Sequence, residues 1–119
     1  MIKQMPEAQN SAEKRRFERV DISHEAQVLV LDNKGHKAGV LRQLARGGFM
    51  MEPVKDYSKD NKIYNFTIHE PREGLQVTVN ARPRFCGDNS AGFEFVDLDP
   101  HAAVEIGLII GAYYDSKKP

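Results

Sequence analysis

The chain has one cysteine, Cys86, and no tryptophan. A lone thiol excludes an internal disulfide framework and a zinc site built on cysteines. It also suits a reducing compartment. Charge of neither sign is in excess: Lys+Arg and Asp+Glu stand at 17 each, for a formal net charge of zero. A general nucleic-acid binder holds phosphates with a basic surplus, so no DNA or RNA partner is expected, and any anion site here must be local. Long hydrophobic runs are missing too. The apolar stretch over residues 106–114 contains Gly107 and Gly111. It falls far short of the roughly 20 apolar residues that span a bilayer, so no membrane insertion is expected. The opening Met1-Ile2-Lys3-Gln4-Met5-Pro6 lacks the apolar core of a secretion signal, and the expected location is cytoplasmic.

Catalytic constellations are equally sparse. The four histidines (His24, His36, His69 and His101) are scattered without metal-ligand spacing. Nothing beside Cys86 would activate a thiolate. No Gly-x-Ser-x-Gly, phosphate-binding Gly-Lys-Ser/Thr loop or dinucleotide fingerprint occurs. Asp97 and Asp99 flank a strand end and suit capping. The expectation is a protein that is not an enzyme, with no cofactor and no metal.

What is present is β-patterning, then one helix. At 119 residues the natural count is one domain. Residues 1–13 read as a flexible polar arm, 14–115 as the domain and 116–119 as a tail. Residues 25–31 form a β-branched run ending at Asp32-Asn33-Lys34-Gly35, a turn signal, and residues 37–44 return as the second strand. Ala45-Arg46-Gly47-Gly48 breaks that strand, and its paired glycines permit positive φ and close approach of a ligand. Further strands are expected over residues 49–52, 62–68, 75–81 and 91–96. The fifth continues past Pro83 at a bulge or edge. Asp99-Pro100 reads as an N-cap and first helical residue. The helix over residues 101–114 is expected to bury Val104, Ile106, Leu108, Ile109 and Ala112. Six strands with short turns and a closing helix predict an antiparallel barrel.

Two segments carry recognition chemistry. Lys14-Arg15-Arg16-Phe17-Glu18-Arg19 holds three arginines in five residues, next to an aromatic. Guanidinium groups keep their charge and match phosphate oxygens with a planar fork of donors. The second segment is Gln43-Leu44-Ala45-Arg46-Gly47-Gly48.

Together these segments resemble the PilZ domain family. Arg15-Arg16-Phe17-Glu18-Arg19 resembles that family's Arg-x-x-x-Arg motif. Gln43-Leu44-Ala45-Arg46-Gly47-Gly48 aligns with its Asp/Asn-x-Ser-x-x-Gly motif, and residues 91–98 resemble its closing strand. The resemblance implies a six-stranded antiparallel PilZ-like β-barrel with a C-terminal helix, all-β in class. It also implies cyclic di-GMP as ligand. Arg15 and Arg19 would then meet phosphate and the O6/N7 edge of guanine, and Arg16 would stack on a base or reach a second ligand molecule. Arg46 belongs to the same segment, and Gly47 and Gly48 would bring the backbone close. Phe17 is expected to pack on the barrel.

The second motif departs from the family at two positions. Gln43 stands in place of Asp or Asn, and Ala45 in place of Ser. A lost hydroxyl bond is worth about 0.5–1.5 kcal/mol, and a lost charged acceptor brings the deficit to about 2–4 kcal/mol. Two functional readings follow. One is a cyclic di-GMP receptor or adaptor acting in trans on an effector protein in motility, pilus, exopolysaccharide or virulence control. The other is a PilZ-fold interaction module that does not bind the nucleotide. The oligomeric state expected is a monomer or weak homodimer. Restoring the family pair, Gln43→Asp with Ala45→Ser, is expected to tighten binding, checked by calorimetric titration against the wild type.

Overall fold

Alternation decides most of the strands. In residues 64–70, Phe66, Ile68 and Glu70 turn inward while Asn65, Thr67 and His69 turn outward. The computed structural model describes residues 19–115. Its strands are β1 (Arg19–Asp21), β2 (Leu29–Leu31), β3 (Lys37–Ala45), β4 (Gly48–Pro53), β5 (Tyr64–Glu70), β6 (Leu75–Gly87) and β7 (Ser90–Phe95), followed by helix α1 (Pro100–Asp115). All pairings are antiparallel. β3 pairs with both β2 and β4, so β2, β3, β4, β7, β6 and β5 close into a six-stranded barrel. β1 is a seventh, short strand added to β3 beyond the end of β2.

The sequence reading placed the arginine segment ahead of the first strand and ran that strand over residues 25–31. Arg19 is itself a strand residue, and the segment is divided. β1 pairs with Gln43, Leu44 and Ala45, while β2 pairs with Lys37, Gly39 and Val40. Between them the backbone stays tied to β3, with Ile22 N donating to Arg42 O and Leu41 N to Val28 O, both at 2.8 Å. A 3-10 turn over His24–Ala26 and a positive φ of 53° at Gln27 take up the extra residues. Ile22 and Val28 bury on either side. The segment is one strand interrupted by a corner.

β3 carries a bulge of its own. Leu41 faces Met51 and Gln43 faces Met50, so Arg42 is the extra residue. Leu41 and Leu44, three apart, can then both enter the core, and both are fully buried. β6 does run past Pro83, with its register shift between Pro83 and Phe85, where a missing N–H is tolerated. The barrel interior is aromatic. Phe66 and Phe93 meet edge to face at 5.0 Å, and Phe49 stacks on Phe93 at 5.2 Å. Phe17 lies outside the described residues.

The helix differs from expectation in its buried face. Ala102, Ile106, Ile109, Ile110 and Tyr113 are buried, whereas Val104 and Leu108 are 62% and 55% exposed. Two residues along a helix turn by about 200°, so Leu108 cannot share the side of Ile106. The buried face packs on β1, β3 and β6. One polar clamp joins the helix to the barrel. Glu70, wholly buried at the end of β5, accepts from Tyr113 Oη at 2.5 Å and from the backbone N–H groups of Arg72 and Glu73 at 2.8 Å. Arg72 lies over the Tyr113 ring at 4.9 Å.

Burial, then the hydrogen bond to Glu70 and its charge, push the Tyr113 hydroxyl well above its ordinary value of 10.0. The unfolded chain therefore ionises Tyr113 first, and the clamp's contribution is complete below pH 10 and lost as pH rises beyond it. Tyr113→Phe is expected to cost about 1.5–3 kcal/mol at neutral pH, because a buried carboxylate loses a donor. It should also flatten the fall in stability above pH 10. Denaturant titrations of both proteins at pH 7 and in the alkaline range check this.

Candidate functional site

β1 and β3 bring Arg19, the last residue of the first segment, and residues 43–45 of the second into one ladder. Arg19 stands opposite Ala45, Val20 opposite Leu44, and Asp21 opposite Gln43. Val20 and Leu44 point into the core. By strand alternation the other four residues share the outer face of this ribbon. Arg19 and Asp21 are exposed, and Gln43 and Ala45 are half-buried. Arg15 and Arg16 lie outside the described residues.

Arg46 and Gly47 form the bend after β3, both exposed. Arg46 leaves the ribbon and reaches the helix: a methyl group added at Gly107 would sit 3.3 Å from Arg46 Nη1. The glycines differ from expectation in backbone conformation. Neither Gly47 nor Gly48 has a positive φ. A Cβ on Gly48 would collide with the Phe93 carbonyl oxygen at 2.1 Å, so that glycine serves the close approach of β4 to β7. Gly47 has open space at its Cβ position and stays accessible, and its carbonyl accepts from Phe95 N at 2.9 Å.

Two polar features on this side were not singled out from the sequence. Gln43 Nε2 donates to Asp21 Oδ1 at 3.1 Å. Asp21 follows Arg19 by two residues, and recognising β1 as a strand would have put both on one face. The second feature centres on Glu52 in β4. It accepts from His24 Nε2 at 2.7 Å and from Arg42 Nη1 at 2.5 Å. The His24 hydrogen bond holds the Glu52 carboxyl below its ordinary value, and Arg42 adds to the effect. Arg42 also donates through Nε to Ile22 O at 3.3 Å, tying the bulge to the chain after β1. Between these groups lies an open cleft of about 460 Å³, bordered by Asp21, Ser23, Arg42, Met50 and Glu52. That volume is within the range of small-molecule sites. Among the described residues, no three His, Cys, Asp or Glu side chains gather as a metal site would require. No helix of the described residues is long and apolar enough to cross a membrane.

A six-stranded barrel closed through β3 and a terminal helix define a known class. The PilZ domain family model matches residues 13–111, and the chain belongs to that family, a fold of cyclic di-GMP receptors and adaptors. None of the curated proteins matches the chain in sequence. Solved structures agree with the fold. The PilZ domain of YcgR from Escherichia coli, determined with cyclic di-GMP, is similar at TM-score 0.64 and 12% identity, covering 83% of this chain and 90% of that one. The Bacillus subtilis inhibitor of motility MotI/DgrA is similar at TM-score 0.66 and 13% identity over 85% of this chain. The match spans about half, 51%, of the Bacillus chain. The PilZ domain of CeSA from a cellulose-synthesizing bacterium is similar at TM-score 0.54 and 16% identity, covering 84% of this chain and 98% of that one.

The register changes what Gln43→Asp should do. Asp21 lies directly opposite, so a second carboxylate there meets a like charge and replaces a hydrogen bond. The single variant is expected to lose about 0.5–1.5 kcal/mol of stability. Adding Asp21→Asn should restore most of it. Urea denaturation of the two variants beside the wild type measures this, and equal stabilities of Gln43→Asp with and without Asp21→Asn would rule the repulsion out.

Proposed function

We propose that the protein is a cyclic di-GMP receptor that acts in trans on an effector protein. The observation that carries this reading is the β1–β3 register, which sets Arg19 opposite Ala45 and Asp21 opposite Gln43. Arg19, the last arginine of the first motif, is thereby a neighbour of the second motif on one outer face, next to an open cleft. Arg15, Arg16 and Arg19 supply the cationic side of the site, with Arg16 stacking on a base or reaching a second ligand molecule. Gln43, Ala45, Arg46, Gly47 and Gly48 form its floor and edge. Overall charge contributes nothing, since the chain is neutral. Affinity therefore rests on paired guanidinium contacts to phosphate and to the guanine O6/N7 edge.

The output follows from ligand bound between the arginine segment and the ribbon. Ligand held between that segment and β3 changes the surface next to α1, through Arg46 at Gly107, and the changed surface is what an effector reads. One structural neighbour is by name an inhibitor of motility, which favours motility machinery as the target. No catalytic family is indicated. The competing reading, an interaction module without nucleotide, draws on Ala45, which offers no hydroxyl.

Calorimetric titration with cyclic di-GMP decides between them. Wild-type protein should bind, and Arg15→Ala/Arg19→Ala should lose at least about 100-fold in affinity, from two charge-assisted contacts worth about 1.5–3 kcal/mol each. Absence of heat from the wild type at high micromolar ligand would leave the interaction module standing.

A further inference from the structure

Guanine presents two chemically opposite edges. O6 and N7 accept, and an arginine meets them with two donors. N1–H and the exocyclic amino group donate, and a carboxylate, with acceptors on both oxygens, answers them. The second motif of this chain has no carboxylate of its own: Gln43 and Ala45 stand at its polar positions. The ribbon face nevertheless carries one, directly across the ladder on Asp21. A carboxylate only accepts, so the Gln43 atom facing Asp21 Oδ1 at 3.1 Å is its amide nitrogen. That bond is one of the contacts that orient an exposed side chain at the border of the open cleft.

Resting on the nucleotide reading above, we infer that Asp21, oriented by Gln43, reads the donor edge of guanine, so that the acidic function of the second motif is carried on β1 instead of β3. Spacing along β1 supports the assignment. Arg19 and Asp21 are two residues apart on one face, about 6.8 Å between Cα atoms in an antiparallel strand. The two edges of guanine lie on either side of O6 within a single base. One base laid along β1 therefore meets the arginine with its acceptors and the carboxylate with its donors. Gln43 acts as a positioning residue, and its carbonyl oxygen is turned away from Asp21.

The consequence is selectivity between bases. Adenine places a ring acceptor at N1, where guanine has N1–H, so the Asp21 carboxylate would face a lone pair. An asparagine at the same place offers one acceptor and one donor and loses that discrimination. The test is calorimetry of the full chain with cyclic di-GMP and, separately, cyclic di-AMP, using the wild type, Asp21→Asn and the exchange variant Asp21→Asn/Gln43→Asp. Asp21→Asn should weaken cyclic di-GMP by about 10- to 100-fold while leaving cyclic di-AMP no weaker, so the ratio of affinities collapses. The exchange variant, with its carboxylate back on β3, should recover cyclic di-GMP binding. Unchanged affinity and selectivity in Asp21→Asn, or equal weakening of both ligands, would overturn the assignment while the receptor reading stands. A wild type that does not bind cyclic di-GMP would remove both.

Discussion

The pairing of β1 with the last three residues of β3 is the constraint on which the functional reading depends. It is a short ladder, and three strand pairs alone hold little in water. Its stability comes from the side chains beneath it. Val20, Ile22 and Leu44 are buried, and each is worth about 1.5–3 kcal/mol in transfer from water. Helix α1 packs against β1 and β3 as well. The outer residues of the ribbon are therefore displayed on a backbone held from inside. Polar groups there can change without loss of the fold.

The same division between a fixed inside and a variable outside appears at Glu70. A fully buried carboxylate is costly unless every oxygen finds donors, and here a turn and a helix supply them. The clamp ties the end of β5 to the last turns of α1. It thereby holds the helix whose Gly107 lies under Arg46, the residue leading out of the second motif. The step from ribbon to helix is short, and the helix it reaches is fixed at its far end.

Much of this was legible in the sequence. Alternation over residues 64–68 and 75–81 revealed β5 and β6, and Asp99-Pro100 revealed the start of the helix. The barrel followed from strand count and turns. The errors have specific physical causes. β1 is three residues long, too short to show a period, so the first strand was expected only from residue 25. Leu41 and Leu44 break alternation because Arg42 bulges, a feature invisible without the partner strand. Gly47-Gly48 was expected to permit positive φ, but neither takes it, and Gly48 answers to the Phe93 carbonyl on a strand more than forty residues away. Val104 and Leu108 were counted into the buried face on hydrophobicity alone, although their helical angle places them on the other side. Glu70 and Tyr113 carried no local signal, since their meaning is a contact between distant segments.

Asp21 is the most instructive of these, because a motif is written along one strand whereas a site is built across two. In an antiparallel ladder, residues directly opposite have Cβ atoms about 4.5–5.5 Å apart and project from the same face. A functional group can therefore pass from one strand to its partner by substitution alone, displaced by roughly one side chain's length and with no change of fold. The motif then looks degraded when each strand is read separately, as Gln43 and Ala45 do. The face still carries an arginine and a carboxylate on one side of a two-stranded ribbon. Gln43 fits this account better than a simple loss would. An amide opposite Asp21 removes the like-charge repulsion that the family's own aspartate would meet there, and it donates the bond that orients the carboxylate. The glutamine and the aspartate are best understood as one cross-strand pair.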